Sequence, residues 1–252
     1  MSEGEAAADV VRVIRLVGAK AGAMDEAMLD ALEGQIEDFE DGPARAAVIT
    51  GHDRFFSAGL ALPRLIDLER DAMRVFIGRF SRAMTRVLAC GKPIVAAING
   101  HAIAGGCVLA LMCDWRICVD DGAKVGLSEA QLGIGLPAIV VEPLRATVPS
   151  ASLVPLALEG RLCSPGEARE LGLVHELAPA AEVVARAEAK ARALAEPPPL
   201  AVAQIKRSLR APILDAIART EEAETERWLD SWFSEAAQVR LRMAVASLTR
   251  KG

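Results

Sequence analysis

The spacing of short apolar runs is the feature that most constrains the fold of this 252-residue chain. The runs at residues 46–50, 93–98 and 115–119 each have the length of one strand; the first is predicted to be buried and the second to be buried on both faces. Segments with helical periodicity separate these runs. Such an alternation favours an α/β fold, in which helices cross over between the parallel strands of one sheet.

The other predicted elements extend this alternation. Residues 10–17 alternate apolar and charged side chains, which is typical of a strand. Asp25 is a candidate N-cap for a helix that ends near residues 41–43. Farther along, the pattern predicts helices at residues 67–89 and 105–113 and a last short strand at residues 173–177.

The last quarter of the chain is predicted to be helical. An Ala-rich helix at residues 181–194 is ended by three prolines at residues 197–199, because proline lacks the N–H that a helix needs. We therefore expect an α/β core over residues 1–195 and a helical region over residues 196–252. Three aromatic side chains in that region predict a packing anchor against the core or against another subunit: Trp228, Trp232 and Phe233.

Composition and charge disfavour several classes of partner. The net charge is −5, and Lys and Arg are scattered, so no basic surface for nucleic acid is predicted. The first residues are small and acidic, unlike a secretory signal, and no run of about 18 uncharged apolar residues occurs. We therefore expect a soluble, cytoplasmic protein with no nucleic-acid or membrane partner.

The cysteines favour no metal or disulfide role. They form no Cys-x-x-Cys motif, and three of the five lie inside apolar runs, which is typical of buried, reduced thiols. No metal site and no redox cofactor are predicted. The five are Cys90, Cys107, Cys113, Cys118 and Cys163.

Two loops place small residues where the backbone must approach another group closely. One, at residues 55–60, follows the apolar run at residues 46–50, and the other, at residues 100–107, leads directly into a predicted helix. Glycine permits close approach, and a helix N-terminus presents unpaired N–H groups. The loops predict a site for an anion, either a phosphate or a developing oxyanion. A tight helix-capping turn without further function explains their composition equally well.

Three common motifs are not matched by these loops. Residues 100–107 have the glycine spacing of a P-loop, but Gly106 and Cys107 replace its Lys and Ser/Thr. No Gly-x-Gly-x-x-Gly opens a helix, and Ser57 lacks the flanking glycines of a hydrolase elbow. Nucleotide hydrolysis, dinucleotide binding and serine-hydrolase chemistry are therefore disfavoured.

Both loops resemble those of the crotonase (enoyl-CoA hydratase/isomerase) superfamily. FFSAGL at residues 55–60 is similar to its first oxyanion loop, and NGHAIAGGCVLALMCDWRI at residues 99–117 is similar to its second. The likeness covers most of the chain and implies an α/β fold of ββα units arranged in a spiral, followed by a C-terminal helical region. It also implies that the backbone N–H groups of Leu60 and Gly105 bind the oxygen of an acyl-CoA thioester.

The same resemblance bears on the reaction. Hydratases of the superfamily carry two carboxylates; the first position is Val108 here, and the second is Glu129 in GLSEAQLGIGLP, residues 126–137. This segment is similar to that of mitochondrial-type Δ3,Δ2-enoyl-CoA isomerases, which also have an aliphatic residue at the first position. The resemblance therefore implies conversion of 3-enoyl-CoA to trans-2-enoyl-CoA. We expect Glu129 to shuttle one proton while the two N–H groups hold the negative charge.

Further positions are implied to line the substrate site. They are Ala58, Gly59, Gly106, Val108, Leu132, Pro137 and, for the CoA phosphates, Lys206. Two departures from the isomerase pattern, Ser128 in place of Asn and Ala61 in place of Asp, leave the exact substrate open. Another superfamily reaction (hydration, thioester hydrolysis or decarboxylation) and a silent acyl-CoA-binding subunit are the alternatives.

The implied assembly is a homotrimer or a dimer of trimers, and coenzyme A enters only as part of the substrate. Other polar residues near the loops have plainer interpretations. His52 and His101 are expected to be packing groups of the loops and not bases, and Glu142 is expected to be a surface or structural helix residue.

Overall fold

The structure is a computed structural model that describes residues 10–18 and 20–250. Its strands are β1 (Val11–Arg15), β2 (Ala46–Thr50), β3 (Phe55–Ser57), β4 (Ile94–Ile98), β5 (His101–Ile103), β6 (Trp115–Val119), β7 (Val125–Gly126), β8 (Leu162–Cys163) and β9 (Glu176–Ala178). Its α-helices are α1 (Glu26–Asp41), α2 (Leu62–Leu65), α3 (Arg70–Ala89), α4 (Gly105–Met112), α5 (Glu129–Leu132), α6 (Ala138–Thr147), α7 (Pro165–Glu170), α8 (Val183–Ala195), α9 (Pro199–Trp232) and α10 (Glu235–Arg250).

The main sheet has five parallel strands in the order β1-β2-β4-β6-β9. Every residue of β2 and β4 is buried, as continuous apolar runs predict for the centre of a parallel sheet. The predicted bounds of β2 and β6 are confirmed, and β1 and β4 fall inside their predicted ranges. Strand β9 begins three residues later than predicted, because Leu173 and Val174 are buried by packing before strand pairing starts.

The strands of a second sheet, in the order β3-β5-β7-β8, were not predicted from the residue pattern. Its strands have two or three residues, which is too short for a periodic pattern to show. Strand β3 follows β2, β5 follows β4 and β7 follows β6, and each pair leads into helices. The chain therefore repeats a ββα unit, and the expected α/β spiral with a helical C-terminal region is confirmed.

The helices around the sheets begin where local chemistry favours them. The Asp25 side chain accepts a hydrogen bond from the Met28 N–H at 3.0 Å, which confirms it as the N-cap of α1. Helix α4 is buried along its whole length. The backbone at its first turn is therefore held rigidly by the surrounding core.

The C-terminal helices pack on the core of their own chain. Helix α9 contacts α3 and α6, and an ion pair joins Arg74 to Glu226 at 2.8 Å. Trp228 and Trp232 are buried, and Phe233 is partly buried against the same hydrophobic cluster. The predicted anchor thus packs against this chain's own core. The division into parts at residue 195 stays a prediction.

All five cysteines are buried and free, as predicted. In the described ranges, no helix combines the length and the hydropathy that crossing a bilayer requires.

Candidate active site

The first loop, residues 57–61, leaves one backbone N–H without an acceptor. The N–H groups of Ala58, Gly59 and Ala61 donate hydrogen bonds at 3.1, 3.2 and 2.9 Å to the neighbouring protein. For the N–H of Leu60, between them, no acceptor occurs among residues 10–18 and 20–250. The loop is therefore held on both sides of Leu60 while that N–H stays free.

The second loop leads into α4 through an unusual backbone conformation. Ala104 has φ 51° and ψ −122°, in a region that side-chain-bearing residues rarely adopt, and its N–H donates to the Gly126 carbonyl at 2.9 Å. The next N–H, of Gly105, has no acceptor in the described part of the chain. It belongs to the first turn of α4, where the helix dipole adds partial positive charge.

The two loops are in direct backbone contact. A Cβ atom added to Gly59, which has φ +83°, would lie 3.0 Å from the backbone nitrogen of Gly105 and 2.9 Å from the Ala104 Cβ. A Cβ on Gly106 would lie only 2.2 Å from the Ser57 carbonyl oxygen. Only glycine at these positions allows the loops to meet, and their contact brings the two free N–H groups into one neighbourhood.

Glu129 is a buried carboxyl group at the start of α5. It is 8% exposed, and its Oε2 atom has no hydrogen-bond partner in the described structure. Burial raises the pKa of Glu129 to about 7, although the backbone N–H groups of Glu129 and Ser128 partly offset this rise. A carboxyl group with one unpartnered oxygen and a pKa near neutrality is suited to taking up and returning a proton.

The wall beside this carboxyl group is formed by α4. Burial raises the pKa of the Cys107 thiol, and the charge of Glu129 adds to that rise, so the two residues are neighbours. Val108 is 1% exposed and follows Cys107 in the same turn. Glu129 therefore lies beside the turn that begins with the free N–H of Gly105, and the first hydratase position next to it is apolar.

The structure places the other implied lining residues on the elements around this cluster. Leu132 is the last residue of α5 and is half-buried, and Pro137 is buried immediately before α6. Ala58 is half-buried in the first loop, and Gly106 is buried in the first turn of α4. Their contacts with a substrate stay a prediction.

A family model described as enoyl-CoA hydratase/isomerase matches residues 7–245, nearly the whole chain. The chain belongs to the enoyl-CoA hydratase/isomerase family.

Relatives within this family carry different reaction names. The carnitinyl-CoA dehydratase of Proteus mirabilis (strain HI4320) is 36% identical over 194 residues, which cover 76% of this chain and 74% of that protein. A probable enoyl-CoA hydratase of Bacillus subtilis (strain 168) is 34% identical over 166 residues, 65% of this chain and 64% of that protein. The match thus spans less than two thirds of the Bacillus protein's length.

The crystal structure of the human mitochondrial delta3-delta2-enoyl-CoA isomerase is also similar to this chain. The two superpose with a TM-score of 0.89 over 96% of this chain and 95% of the human one, at 27% sequence identity. Membership of the enoyl-CoA hydratase/isomerase family is therefore shown by sequence and by fold.

Lys206 is part of a buried ion pair. Its ammonium group is buried and donates to the Asp114 carboxylate at 2.6 Å and to the Lys92 carbonyl at 2.8 Å. Arg210 binds the other Asp114 oxygen at 3.1 Å. The ion pair lines a cleft of about 680 Å³ between α8 and α9, which Glu129 does not line. The contact of Lys206 with the CoA phosphates stays a prediction, and in the single chain its ammonium group already pairs with Asp114.

The other polar residues near the loops have structural contacts. The Nδ1 atom of His101 accepts a hydrogen bond from the Lys124 N–H at 3.0 Å, and its ring lies 5.0 Å from the Phe55 ring. Glu142 pairs with Arg145, one turn along α6, at 3.2 Å. The interpretation of both as non-catalytic groups agrees with these contacts. Among the described residues, no three His, Cys, Asp or Glu side chains are placed to hold a metal ion.

Sequence reasoning missed three residues that shape the site. A Cβ on Gly105 would lie 3.1 Å from the Met24 Sδ atom and 3.3 Å from the Phe80 Cε2 atom, so these side chains flank the second loop. Phe80 lies on the predicted apolar face of α3, which gave a signal for burial but none for the site. No feature of the sequence indicated that Met24 flanks the loop or that Ala104 has a positive φ.

Proposed function

We propose that this chain is an enoyl-CoA isomerase that moves the double bond of a 3-enoyl-CoA to the trans-2 position. The proposal rests on the buried Glu129 carboxyl group, which has one unpartnered oxygen, together with two contacting loops that each retain a free backbone N–H. The apolar, buried Val108 at the first hydratase position favours a reaction with one carboxylate over one with two.

The two free N–H groups act on the thioester oxygen. Removing a proton next to a thioester places negative charge on that oxygen, and the N–H groups of Leu60 and Gly105 stabilise this charge. Because both donors are fixed backbone groups, they need no reorganisation when the charge develops. Each such donor lowers the barrier by roughly 3–4 kcal/mol.

The carboxylate of Glu129 moves the proton. It removes a proton from C2 of the 3-enoyl chain, and the electrons of the broken C–H bond delocalise through the dienolate onto the thioester oxygen. The protonated Glu129 then returns the same proton to C4. The thioester carbonyl re-forms, the double bond stands between C2 and C3, and the carboxylate is regenerated. A positioned base of this kind contributes about 10²–10⁴ in rate.

Hydration is the second candidate, favoured by the names of the Proteus and Bacillus relatives. Addition of water to the double bond requires a group that orients the water and a group that donates the proton. Glu129 supplies one carboxyl group, whereas Val108 has no polar atom in its side chain. Hydration by a two-carboxylate route is therefore the weaker candidate for this chain.

A homotrimer or a dimer of trimers stays part of the proposal. Three large apolar side chains on the first half of α9 are 55–87% exposed: Leu200, Ile205 and Leu209. An exposed apolar stripe of this kind favours contact with another copy. Light scattering on the purified protein tests this, since a particle mass equal to one chain contradicts it.

The reaction is tested with purified protein and two substrates. With a 3-enoyl-CoA, we expect growth of the conjugated-enoyl absorbance, and with a 2-enoyl-CoA we expect no rapid loss of it. The Glu129→Gln variant is expected to lose turnover by at least about 10² while it still binds an acyl-CoA. A rate of absorbance growth equal to background contradicts the isomerase proposal. Rapid loss of the 2-enoyl signal supports hydration, and binding without either reaction supports a silent subunit.

A further inference from the structure

The short helix that carries Glu129 is held from outside by the two C-terminal helices. In the segment after Glu129, the Gly135 N–H donates to the Ser231 Oγ atom of α9 at 2.9 Å. The Gln131 carbonyl accepts from the Arg240 Nη1 atom of α10 at 3.2 Å. These bonds attach the segment 131–135 to α9 and α10 at two points.

A third contact joins backbone to backbone. Gly133 ends α5 with φ +80°, and a Cβ atom added there would lie 3.3 Å from the Ala237 Cα atom of α10. Ala237 is fully buried. The next N–H, of Ile134, donates to the Glu129 carbonyl at 3.1 Å. Helix α10 therefore packs directly against the turn that closes on Glu129.

Helix α5 needs such support because it has only four residues. A single helical turn is unstable by itself, since helix nucleation costs more than one turn of hydrogen bonds returns. On the opposite side, the Gln131 Nε2 atom donates to the Glu159 carbonyl at 2.5 Å. The position of the Glu129 carboxyl group thus depends on partners that are distant in sequence.

Helix α10 also reaches the segment that follows the first loop. Arg242 forms an ion pair with Asp67 at 2.9 Å, and Asp67 comes just after α2, the helix that follows Leu60. Both side chains are more than half exposed, so the pair contributes little energy. It nevertheless shows that one helix contacts the segments next to both the proposed base and the first loop.

We propose that Ser231 and Arg240 are positioning residues for Glu129, acting through the backbone of residues 131–135. This inference rests on the proposed function, in which Glu129 transfers a proton. Neither side chain needs to touch the substrate. Because loosening the turn displaces the base without changing the loops, the rate of proton transfer falls while substrate binding persists. A displacement of about 1 Å is enough to cost up to about 10² in rate.

Kinetic measurements on matched variants test this. We expect Ser231→Ala and Arg240→Gln each to lower kcat about tenfold, with KM within about twofold of wild type. Ser231→Thr retains the hydroxyl group and is expected to restore most of the rate. Arg227→Ala is the control, because Arg227 lies one turn before Ser231 and, among the residues that the structure describes, forms its ion pair within its own helix, with Glu224. An unchanged kcat in the double variant S231A/R240Q, or a loss confined to KM, overturns the proposal.

Hydrogen exchange on the same proteins separates this inference from the proposed function. The amides of residues 129–135 are expected to exchange at least about tenfold faster in S231A/R240Q than in wild type. Their exchange rates in R227A are expected to equal those of wild type. Absence of wild-type turnover with 3-enoyl-CoA counts against the proposed function. Unchanged exchange in the double variant counts against the role of Ser231 and Arg240, whatever the wild-type activity is.

Discussion

Gly59 and Gly105 pack backbone against backbone, and a Cβ atom on Gly59 would stand 3.0 Å from the Gly105 nitrogen. The contact joins two loops that are far apart in the chain and that each retain a free N–H. Glycine is required at position 59, because a side chain there would meet the backbone of the second loop. The consequences of adding one methyl group differ between neighbouring glycines, which makes the arrangement testable.

Gly105→Ala is expected to fold but to react slowly. The added Cβ would meet the ends of two side chains, Met24 at 3.1 Å and Phe80 at 3.3 Å, which shift at little cost. The methyl group would stand beside the free N–H and crowd the thioester, so kcat/KM is expected to fall about 10². Thermal unfolding and steady-state kinetics measure both quantities.

The matched control is Gly106→Ala. Its Cβ would lie 2.2 Å from the Ser57 carbonyl oxygen, which is backbone of a buried strand. We expect a loss of about 3 kcal/mol or more in unfolding free energy. Equal stability of the two variants contradicts the loop packing described above.

Ala104→Gly is expected to stabilise the protein. Ala104 has φ 51°, and a strained conformation of this kind costs about 1–3 kcal/mol in a residue with a side chain. Glycine removes the strain but adds freedom to the unfolded chain, so a net gain of about 1 kcal/mol remains. Urea unfolding measures it. The control Ala102→Gly, in buried β5, is expected to lose stability, and a similar loss in Ala104→Gly would refute the strain.

The main sheet was predictable because its strands are long enough to carry a pattern. The apolar run that ends at Thr50 predicted β2, and the run from Trp115 predicted β6. The second sheet was not predictable, because β3, β5 and β7 have two or three residues and form only through pairing with strands distant in the chain. Their pairing places the two glycine loops next to each other.

The backbone of the site could be predicted where a sequence motif specifies it. The partners of individual side chains could not be predicted. The glycines of both loops were recognised from a resemblance, and the structure brings them together. The ion pair of Lys206 with Asp114 was not predicted, because nothing local in the sequence indicates a partner that lies 92 positions away. The contact of Ala237 with Gly133 could not be predicted either, because these two residues are also far apart in the sequence.

The rate of isomerisation is expected to rise with pH around neutrality. The carboxylate is the reactive form of Glu129, and burial raises the pKa of this group from the ordinary 4.5 to about 7. Below pH 7 the group is protonated, so kcat/KM is expected to fall about tenfold for each pH unit, and above pH 7 it levels off. A profile that is flat between pH 5.5 and 8 excludes Glu129 as the base.

Glu129→Gln is expected to stabilise the protein at alkaline pH while it abolishes turnover. The folded-state pKa of Glu129 lies above the unfolded value, so the folded state binds more protons between pH 4.5 and 7. The free energy of unfolding of the wild type is therefore highest below pH 4.5. It decreases by up to about 3 kcal/mol as the pH rises through 7. Glutamine resembles the neutral carboxyl group and carries no such cost.

Urea unfolding should show the two proteins alike at pH 4.5 and the variant more stable at pH 8. A wild type as stable as the variant at pH 8 would mean that Glu129 is ionised without cost, and that it does not face an apolar, water-poor site.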